Sequence, residues 1–240
     1  MRAVICGANG AMGKLLQARF EEIAGLVSID GENGVARTFA ELGSVKPEVV
    51  VDFSHHSAAP QAAAYAVKEG CALVIGTTAH TPEEKAAIYE AAKKIPVFYA
   101  GNMSLGIAVL CRLAKEAAKS FPDADIEIVE IHHNRKVDAP SGTAKMLFEA
   151  VKEVRPQATA HCGRAGEGKR TKDEIGISSL RMGGVVGIHE VHICTNSQRL
   201  TLRHEACDRG MFADGAKAAA EFVANKPAGL YNMENLLENC

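Results

Sequence analysis

Short apolar runs alternate with segments of helical periodicity along the first half of the chain. The apolar runs predict strands at residues 2–6, 26–30, 49–53, 73–75 and 97–99. Between them, apolar residues spaced three and four apart predict helices at residues 12–23, 58–69 and from Thr81 onward. This alternation predicts an α/β domain built on a parallel, doubly wound sheet.

The pattern changes after Asn102, where strands and helices no longer follow one another regularly. Helices are predicted at residues 104–120, 143–154 and 211–224, and strands at residues 125–131, 177–181, 189–195 and 200–206. Residues 161–174 are rich in glycine and charge, which predicts a mobile loop. The later strands also carry apolar residues that predict a sheet face in need of cover, namely Val185, Val186, Val191 and Ile193.

We therefore expect two domains. The first is an α/β domain at residues 1–103, and the second is an α+β domain with a mixed sheet at residues 104–208. The tail at residues 209–240, which contains the last predicted helix, is expected to pack back onto the first domain.

Composition narrows the classes of function. The 240 residues are 47% hydrophobic and 23% charged, which is typical of a globular protein. A net charge of −2 predicts no nucleic-acid partner and no anionic membrane partner. Neither a signal peptide nor a long apolar stretch is evident, and the seven cysteines lack metal-ligand spacing. We expect a soluble cytoplasmic protein with reduced thiols and no metal.

A glycine motif, Gly7-Ala-Asn-Gly10-Ala-Met-Gly13, follows the first predicted strand. Glycines at this position allow a tight turn and a close approach of a pyrophosphate to the backbone at a helix start. The spacing is not the commonest fingerprint, so an ordinary glycine-rich turn is the alternative. The motif favours a Rossmann-like, dinucleotide-binding first domain.

Asp30 is predicted to end the second strand, about 20 residues beyond the motif, where an acid binds a ribose 2′-hydroxyl. Its carboxylate would repel the 2′-phosphate of NADPH, and the nearest cation beyond it is Arg37. The sequence therefore predicts a preference for NADH, with NADPH as the alternative cofactor.

The segment at residues 130–144 concentrates groups that donate protons and carry positive charge. His132, His133, Arg135 and Lys136 lie within five residues of one another. Such groups suit acid–base chemistry on an anionic substrate. The alternative is a basic surface turn that precedes a capped helix.

An anion cradle is predicted directly after these cations. Asp138-Ala-Pro140 forces a turn, because Pro140 disfavours the helical conformation for the residue before it. Ser141 is then a good N-cap, and Gly142 and Thr143 offer backbone N–H groups at the positive end of the next helix. The segment predicts a binding site for a small dicarboxylate.

This segment resembles the signature of the 4-hydroxy-tetrahydrodipicolinate reductase family, Glu-x-His-His-x-x-Lys-x-Asp-Ala-Pro-Ser-Gly-Thr-Ala, and it matches every fixed position. The resemblance extends over essentially the whole chain, through Asp52-Phe53-Ser54, Gly76-Thr77-Thr78, Ala100-Gly101-Asn102-Met103, Arg181-Met-Gly183 and Gly187-Ile-His189. Three residues depart from the usual family pattern: Ala11 replaces Arg, Met103 replaces Phe and Ile188 replaces Glu.

The resemblance implies reduction of 4-hydroxy-tetrahydrodipicolinate to tetrahydrodipicolinate by a homotetramer whose second domain binds substrate and forms the oligomer. It implies that His132 is the acid–base residue and Lys136 its partner donor. The residues implied to bind substrate are His133, Ser141, Gly142 and Thr143. Those expected at the cofactor are Gly7, Ala8, Asn9, Gly10, Ala11, Met12, Gly13, Asp30, Gly76, Thr77, Thr78, Ala100, Gly101, Asn102 and Met103.

Two other functions are compatible with parts of the pattern. Another two-domain dehydrogenase would act on an amino acid or a sugar, and a nucleotide-sensing protein would have lost residues from the His-His loop. A metal site at His189-Glu190-Val191-His192 is disfavoured, because the two histidines would point to opposite faces of a strand. His55 and His56 are interpreted as solvated loop residues, with a place in the lining of the cofactor cleft as the alternative.

Overall fold

The structure is a computed structural model that describes residues 1–239; Cys240, the last residue of the predicted tail, lies outside the described residues. The chain forms two compact units. Unit 1 comprises Met1–Leu105 together with the described residues from Gly210 onward, and unit 2 comprises Gly106–Arg209.

The described residues form eleven strands and seven α-helices. Their bounds in chain order are β1 Arg2–Cys6, α1 Ala11–Gln17, β2 Glu22–Val27, β3 Val49–Asp52, α2 Ala59–Glu69, β4 Ala72–Ile75, α3 Pro82–Ala92, β5 Pro96–Tyr99, α4 Leu105–Ser120, β6 Asp125–His132, α5 Gly142–Lys152, β7 Thr159–Cys162, β8 Glu174–Arg181, β9 Gly187–Cys194, β10 Arg199–Ala206, α6 Gly210–Val223, β11 Gly229–Tyr231 and α7 Met233–Leu237. Short 3₁₀ turns add Glu32–Gly34, Phe39–Leu42 and His56–Ala58.

Unit 1 is a parallel sheet with strand order β11-β5-β4-β3-β1-β2. The central strands β3 and β4 are buried along their whole length, which explains why they read as continuous apolar runs rather than alternating ones. Helix α6 packs on β4 and β5 and also on α1. The predicted α/β fold class with a doubly wound sheet is confirmed.

Two predicted boundaries in unit 1 are wrong for one reason. The helix predicted at residues 12–23 ends at Gln17, and the strand predicted at residues 26–30 is Glu22–Val27. Strand β1 has only five residues, and its pairing with β2 runs from Glu22 to Val27. Ile23 therefore belongs to β2 because it pairs with β1. Asp30 lies beyond the end of β2 instead of ending the strand.

Unit 2 is a mixed sheet with strand order β10-β9-β6-β8-β7. Strand β6 runs parallel to β8 and antiparallel to β9. Apolar residues of α4 and α5 form one core with the inner residues of β6, β8 and β9. This arrangement confirms the predicted α+β class with a mixed sheet.

Two further predictions for unit 2 are corrected. Val191 and Ile193 do not form an uncovered face, because both are buried in the core that unit 2 makes with its own helices. Val185 and Val186 precede β9 and are half-buried. The loop predicted at residues 161–174 is shorter, because pairing between β7 and β8 orders both of its ends.

Two short elements near the end of the chain, β11 and α7, were not predicted. Strand β11 has three residues and is paired with β5, so its conformation depends on a partner that local periodicity does not reveal. Within residues 1–239, no helix has both the length and the apolar character needed to cross a bilayer.

The packing of α6 generates a stability prediction for Gly215→Ala. A Cβ at this position would lie 1.7 Å from the backbone oxygen of Met103, so the chain must shift. Alanine gains about 1 kcal/mol in helix propensity, but overpacking against a rigid backbone costs up to about 3 kcal/mol or more. We expect a net loss of about 2 kcal/mol, measured from urea unfolding followed by circular dichroism.

Gly101→Ala is the matched control in the same unit, because its added Cβ would meet Thr78 Cγ2 at an ordinary 3.6 Å. Equal unfolding midpoints for the two variants would contradict the proposed overlap.

Candidate active site

The glycine motif forms a compact turn between β1 and α1. Gly7 has a positive φ of 82°, and a Cβ there would lie 2.5 Å from the backbone oxygen of Phe53. A Cβ on Gly13 would lie 2.1 Å from the oxygen of Gly7. Both glycines are therefore required by backbone packing, while Gly10 and Ala11 are exposed at the start of α1.

These residues fit a dinucleotide pyrophosphate. Gly10 is the N-cap of α1, and the first N–H groups of any helix lack carbonyl partners within it. Ala8 is fully buried, so it offers only backbone to a ligand. Met12, half-buried in α1, belongs to the same turn.

Asn9 and Asp30 are joined directly. The Asn9 amide Nδ2 donates to Asp30 Oδ1 at 2.5 Å and to the backbone oxygen of Glu32 at 3.3 Å. The Asn9 hydrogen bond lowers the pKa of Asp30, which keeps its carboxylate charged. An exposed carboxylate is thus held beside the glycine turn, although Asp30 lies outside the strand.

The turns after β4 and β5 lie at the same edge of the sheet as the glycine turn, since carboxyl ends of parallel strands share one edge. A Cβ on Gly101 would lie 3.6 Å from Thr78 Cγ2, so these two turns are adjacent. Asn102 Oδ1 accepts from the N–H of Ser104 at 2.9 Å. Ala100 is half-buried, whereas Met103 is almost fully buried and contributes to the interior.

Asp52 and Thr77 form the buried support of this edge, next to the half-buried Gly76. Thr77 donates through Oγ1 to Asp52 Oδ2 at 3.0 Å and accepts from the N–H of Ser54 at 3.0 Å. Burial raises the pKa of Asp52, against the hydrogen bonds from Ser54 and Thr77. A Cβ on Gly76 would lie 2.3 Å from the Phe53 ring, so that ring packs directly on the turn.

His55 and His56, interpreted from the sequence as solvated, have protein partners. His55 Nδ1 lies 2.9 Å from Ser57 Oγ, and His56 Nδ1 lies 2.8 Å from the Glu84 carboxylate. The solvated interpretation is therefore wrong for His56, whose ring is partly covered by this contact.

In unit 2, the cationic segment connects β6 to α5. His132 is the last residue of β6, and Ser141 caps α5 by accepting from the N–H of Ala144 at 3.1 Å, as predicted. Gly142 and Thr143 form the first turn of α5, where N–H groups carry the positive end of the helix dipole. The structure thus brings the predicted cations and the predicted anion cradle into one loop.

Lys136 and His133 occupy the centre of this loop. Lys136 Nζ donates to Asp138 Oδ1 at 2.7 Å, and that hydrogen bond lowers the pKa of Asp138. Partial burial, together with the charges of Arg135 and Arg209, lowers the pKa of His133. His133 is therefore favoured as a neutral ring beside a charged ammonium–carboxylate pair.

A buried network lies beneath His132, and the sequence did not predict its role. Glu130 is fully buried, and its carboxylate accepts two hydrogen bonds from Arg181 at 2.8 and 2.9 Å and one from the N–H of Ser141 at 3.1 Å. His132 Nδ1 is bonded to the same carboxylate. Burial alone would raise the pKa of Glu130, but hydrogen bonds from Arg181, Ser179 and His132 lower it to about 2.

His189 lies behind Ser141 and beside His132. Its Nε2 lies 3.1 Å from Ser141 Oγ, and its ring meets the His132 ring edge-on at 5.1 Å. Burial lowers the pKa of His189 to about 4. His192 faces the other side of β9 and contacts Glu190 at 3.0 Å.

Among residues 1–239, no three His, Cys, Asp or Glu side chains are arranged to hold a metal ion. The residues that sequence reasoning left without a role are Glu130, Arg181, His189 and Asp52. All four stand in segments that resemble the family. The two-residue spacing of Glu130 and His132 on a strand was a further signal, because such residues share a face.

Unit 1 has a doubly wound sheet with a glycine turn, and the same chain carries the loop with His132, His133 and Lys136. Together these features define an oxidoreductase of the Rossmann-like, pyridine-nucleotide-binding class. The family description "Dihydrodipicolinate reductase, N-terminus" matches residues 1–103, and the corresponding C-terminus matches residues 106–237. The chain belongs to the dihydrodipicolinate reductase family.

Individual relatives are similar over their full length. The chain is 41% identical to 4-hydroxy-tetrahydrodipicolinate reductase of Alkaliphilus metalliredigens (strain QYMF), with 99% of each chain covered. It is 37% identical to the enzyme of the same name from Clostridium tetani (strain Massachusetts / E88), covering 100% of this chain and 98% of the relative. The solved dipicolinate-bound dihydrodipicolinate reductase from Paenisporosarcina sp. TG-14 superposes with a TM-score of 0.80 at 26% identity, covering 97% of each chain.

The burial of His189 predicts a pH-dependent stability. Its pKa falls from 6.5 to about 4 on folding, so below pH 6.5 the unfolded chain binds the additional proton. Stability is therefore lost as the pH falls from 6.5 towards 4, with a slope of up to about 1.4 kcal/mol per pH unit from this group. We expect His189→Gln to have a correspondingly shallower slope in urea unfolding across that range.

The internal control is the range above about pH 7, where an imidazole is neutral in both states and the two stability curves should run parallel. An identical slope below pH 6.5 in both proteins would contradict the assignment to His189.

Proposed function

We propose that the protein reduces 4-hydroxy-tetrahydrodipicolinate to tetrahydrodipicolinate in diaminopimelate and lysine synthesis. The observation that carries the proposal is the loop of unit 2, in which His132 and Lys136 precede the capped start of α5. The names of the full-length relatives support this activity. The Paenisporosarcina structure is described as dipicolinate-bound, which supports a dicarboxylate ligand.

Unit 1 binds the cofactor in this proposal. The glycine turn holds the pyrophosphate and Asp30 the adenosine ribose, because the turn is free of large side chains and Asn9 fixes the carboxylate. The residues proposed at the nicotinamide end are Gly76, Thr77, Thr78, Ala100, Gly101, Asn102 and Met103. Of these, Thr77 and Met103 are buried, so they act through backbone or by supporting the turn. When bound, the reduced nicotinamide supplies the hydride that reduces C4 of the substrate after loss of water.

The start of α5 holds the substrate carboxylates. The N–H groups of Gly142 and Thr143 present the positive end of an eleven-residue helix, and Ser141 fixes their position as the N-cap. His133, in the same loop, contributes its imidazole ring to the binding of the substrate carboxylates. Lys136 is paired with Asp138, so a substrate carboxylate competes with Asp138 for its ammonium group.

His132 acts as the acid–base residue and Lys136 as its partner donor. Hydride addition builds electron density on the substrate, and a positioned acid that supplies the balancing proton contributes about 10²–10⁴-fold in rate. The Nδ1 atom of His132 is engaged by Glu130, so the proton is delivered from Nε2.

The family resemblance also underlies two further parts of the proposal. The protein acts in the cytoplasm, and it acts as a homotetramer assembled through unit 2.

The activity proposal is tested with enzymatically generated cyclic substrate, by following loss of NADH absorbance. We expect turnover by the unsubstituted protein, and a fall in kcat of about 10²-fold or more for His132→Gln and for Lys136→Ala. Affinity for NADH, measured by calorimetry, should be nearly unchanged, because neither residue is proposed to contact the cofactor.

His161→Gln and Lys119→Ala are matched controls at exposed positions of β7 and α4, and both should retain full turnover. Near-normal turnover by the double variant of His132 and Lys136 would refute the catalytic assignment. Activity on an amino acid or a sugar, with none on the cyclic substrate, would refute the proposed function.

A preference for NADH over NADPH follows from Asp30. The Asn9 hydrogen bond lowers the pKa of Asp30, so a charged carboxylate faces any 2′-phosphate. The side chain of Arg37 lies against Gly31, which makes it the cation available to NADPH. We expect a higher kcat/KM and a lower Kd for NADH, and a smaller difference between the cofactors in Asp30→Asn.

Glu32→Gln, which neutralises an exposed neighbouring acid, should leave the cofactor ratio unchanged. A roughly tenfold preference of the unsubstituted protein for NADPH, equivalent to about 1.4 kcal/mol, would contradict the role given to Asp30.

A further inference from the structure

The buried Glu130 stands out among the acids of unit 2. It shares the inner face of β6 with Ile126 and Ile128, both fully buried in the core. A carboxylate in such a place is strongly destabilising unless hydrogen bonds and an opposite charge satisfy it. A core residue at this position would ordinarily be apolar, so the carboxylate requires an explanation.

Arg181 supplies the opposite charge in a fixed geometry. Its backbone is in register with His132 on the neighbouring strand, and its guanidinium donates to both oxygens of Glu130. The same guanidinium donates to the backbone oxygen of Asp138 at 2.6 Å. Arg181 therefore connects Glu130 in β6 with Asp138 in the loop between β6 and α5.

An Arg–Glu pair alone would not require the contact with His132. The Glu130 carboxylate, held ionised by Arg181, is acceptor-only. Its bond to His132 therefore requires a proton on Nδ1, and the neutral ring then has Nε2 free of a proton. A Cβ on residue 187 would lie 3.1 Å from that Nε2, so Gly187 leaves space beside the atom.

We propose that Glu130 and Arg181 are positioning residues for His132: Glu130 selects the Nδ1–H tautomer and the ring orientation, and Arg181 holds Glu130 in place. This inference rests on the proposed function, in which His132 exchanges a proton through Nε2. Neither residue contacts substrate in the proposal. Their effect on the reaction passes entirely through the imidazole.

The test is Glu130→Gln, examined by nitrogen-15 NMR of the imidazole groups in the full-length protein. The glutamine amide places an N–H donor opposite Nδ1, so neutral His132 should change from the Nδ1–H to the Nε2–H tautomer. We expect kcat to fall by about tenfold or more, with little change in KM or in the Kd for NADH.

Glu190→Gln is a closely matched control. Glu190 also lies two residues before a histidine on a strand, contacts that His192 at 3.0 Å and pairs with an arginine, Arg203. Glu190 lies in β9, outside the loop between β6 and α5, so this variant should leave both kcat and the His132 signal unchanged.

Glu130→Asp provides a second variant if Glu130→Gln does not fold. It keeps the negative charge for Arg181 but shortens the reach to His132 by one methylene, so the Nδ1–H signal should weaken and kcat should fall.

The outcomes separate the two proposals. An unchanged His132 tautomer in a folded Glu130 variant overturns the positioning role, whatever the activity. An inverted tautomer with full turnover overturns the catalytic role of His132 itself. Absence of reductase activity in the unsubstituted protein would refute the proposed function, while the tautomer comparison would still decide whether Glu130 positions the ring.

Discussion

The loop of unit 2 that joins β6 to α5 depends on the neutralisation of one buried carboxylate. Glu130 is fully buried on the same face of β6 as Ile126 and Ile128, where an unpaired charge would be strongly destabilising, so its partners are structurally required. Those partners belong to three different elements: Arg181 ends β8, Ser141 caps α5 and His132 ends β6. Satisfying the charge therefore joins the ends of two strands to the start of a helix, and the intervening loop has little freedom in how it presents Lys136.

Unit 1 is organised by close backbone approach rather than by charge. Gly7 and Gly13 allow the first turn to pack against neighbouring backbone, and Gly215 allows α6 to approach Met103. Its own buried acid, Asp52, is satisfied by neutral hydroxyl donors, and burial raises its pKa. Glu130 also has no exposed surface, yet its pKa is lowered, because hydrogen bonds from Arg181, Ser179 and His132 outweigh the effect of burial.

Much of the fold was predictable because its signals are local. Continuous apolar runs identified the buried parallel strands, and the capping residues Thr81 and Ser141 marked helix starts that the structure confirms. The errors concentrate where local preference and sheet pairing disagree. Ile23 has an apolar spacing suited to a helix, but pairing with Ala3 places it in β2. Similarly, the sequence pattern predicts that Val191 belongs to an uncovered sheet face, but residues of α4 and α5 pack in the same core and cover it.

The sequence by itself determined the fold class, the family and the chemical groups of the loop, because those follow from residue types at short spacing. Only the tertiary structure decided which groups act together. Glu130 and Arg181 are 51 residues apart, and they meet because β6 and β8 are neighbours in the sheet. Asn9, in the turn between β1 and α1, likewise contacts Asp30, in the segment that follows β2. Strand order sets such contacts, and strand order depends on pairing over the whole chain, which no local pattern records.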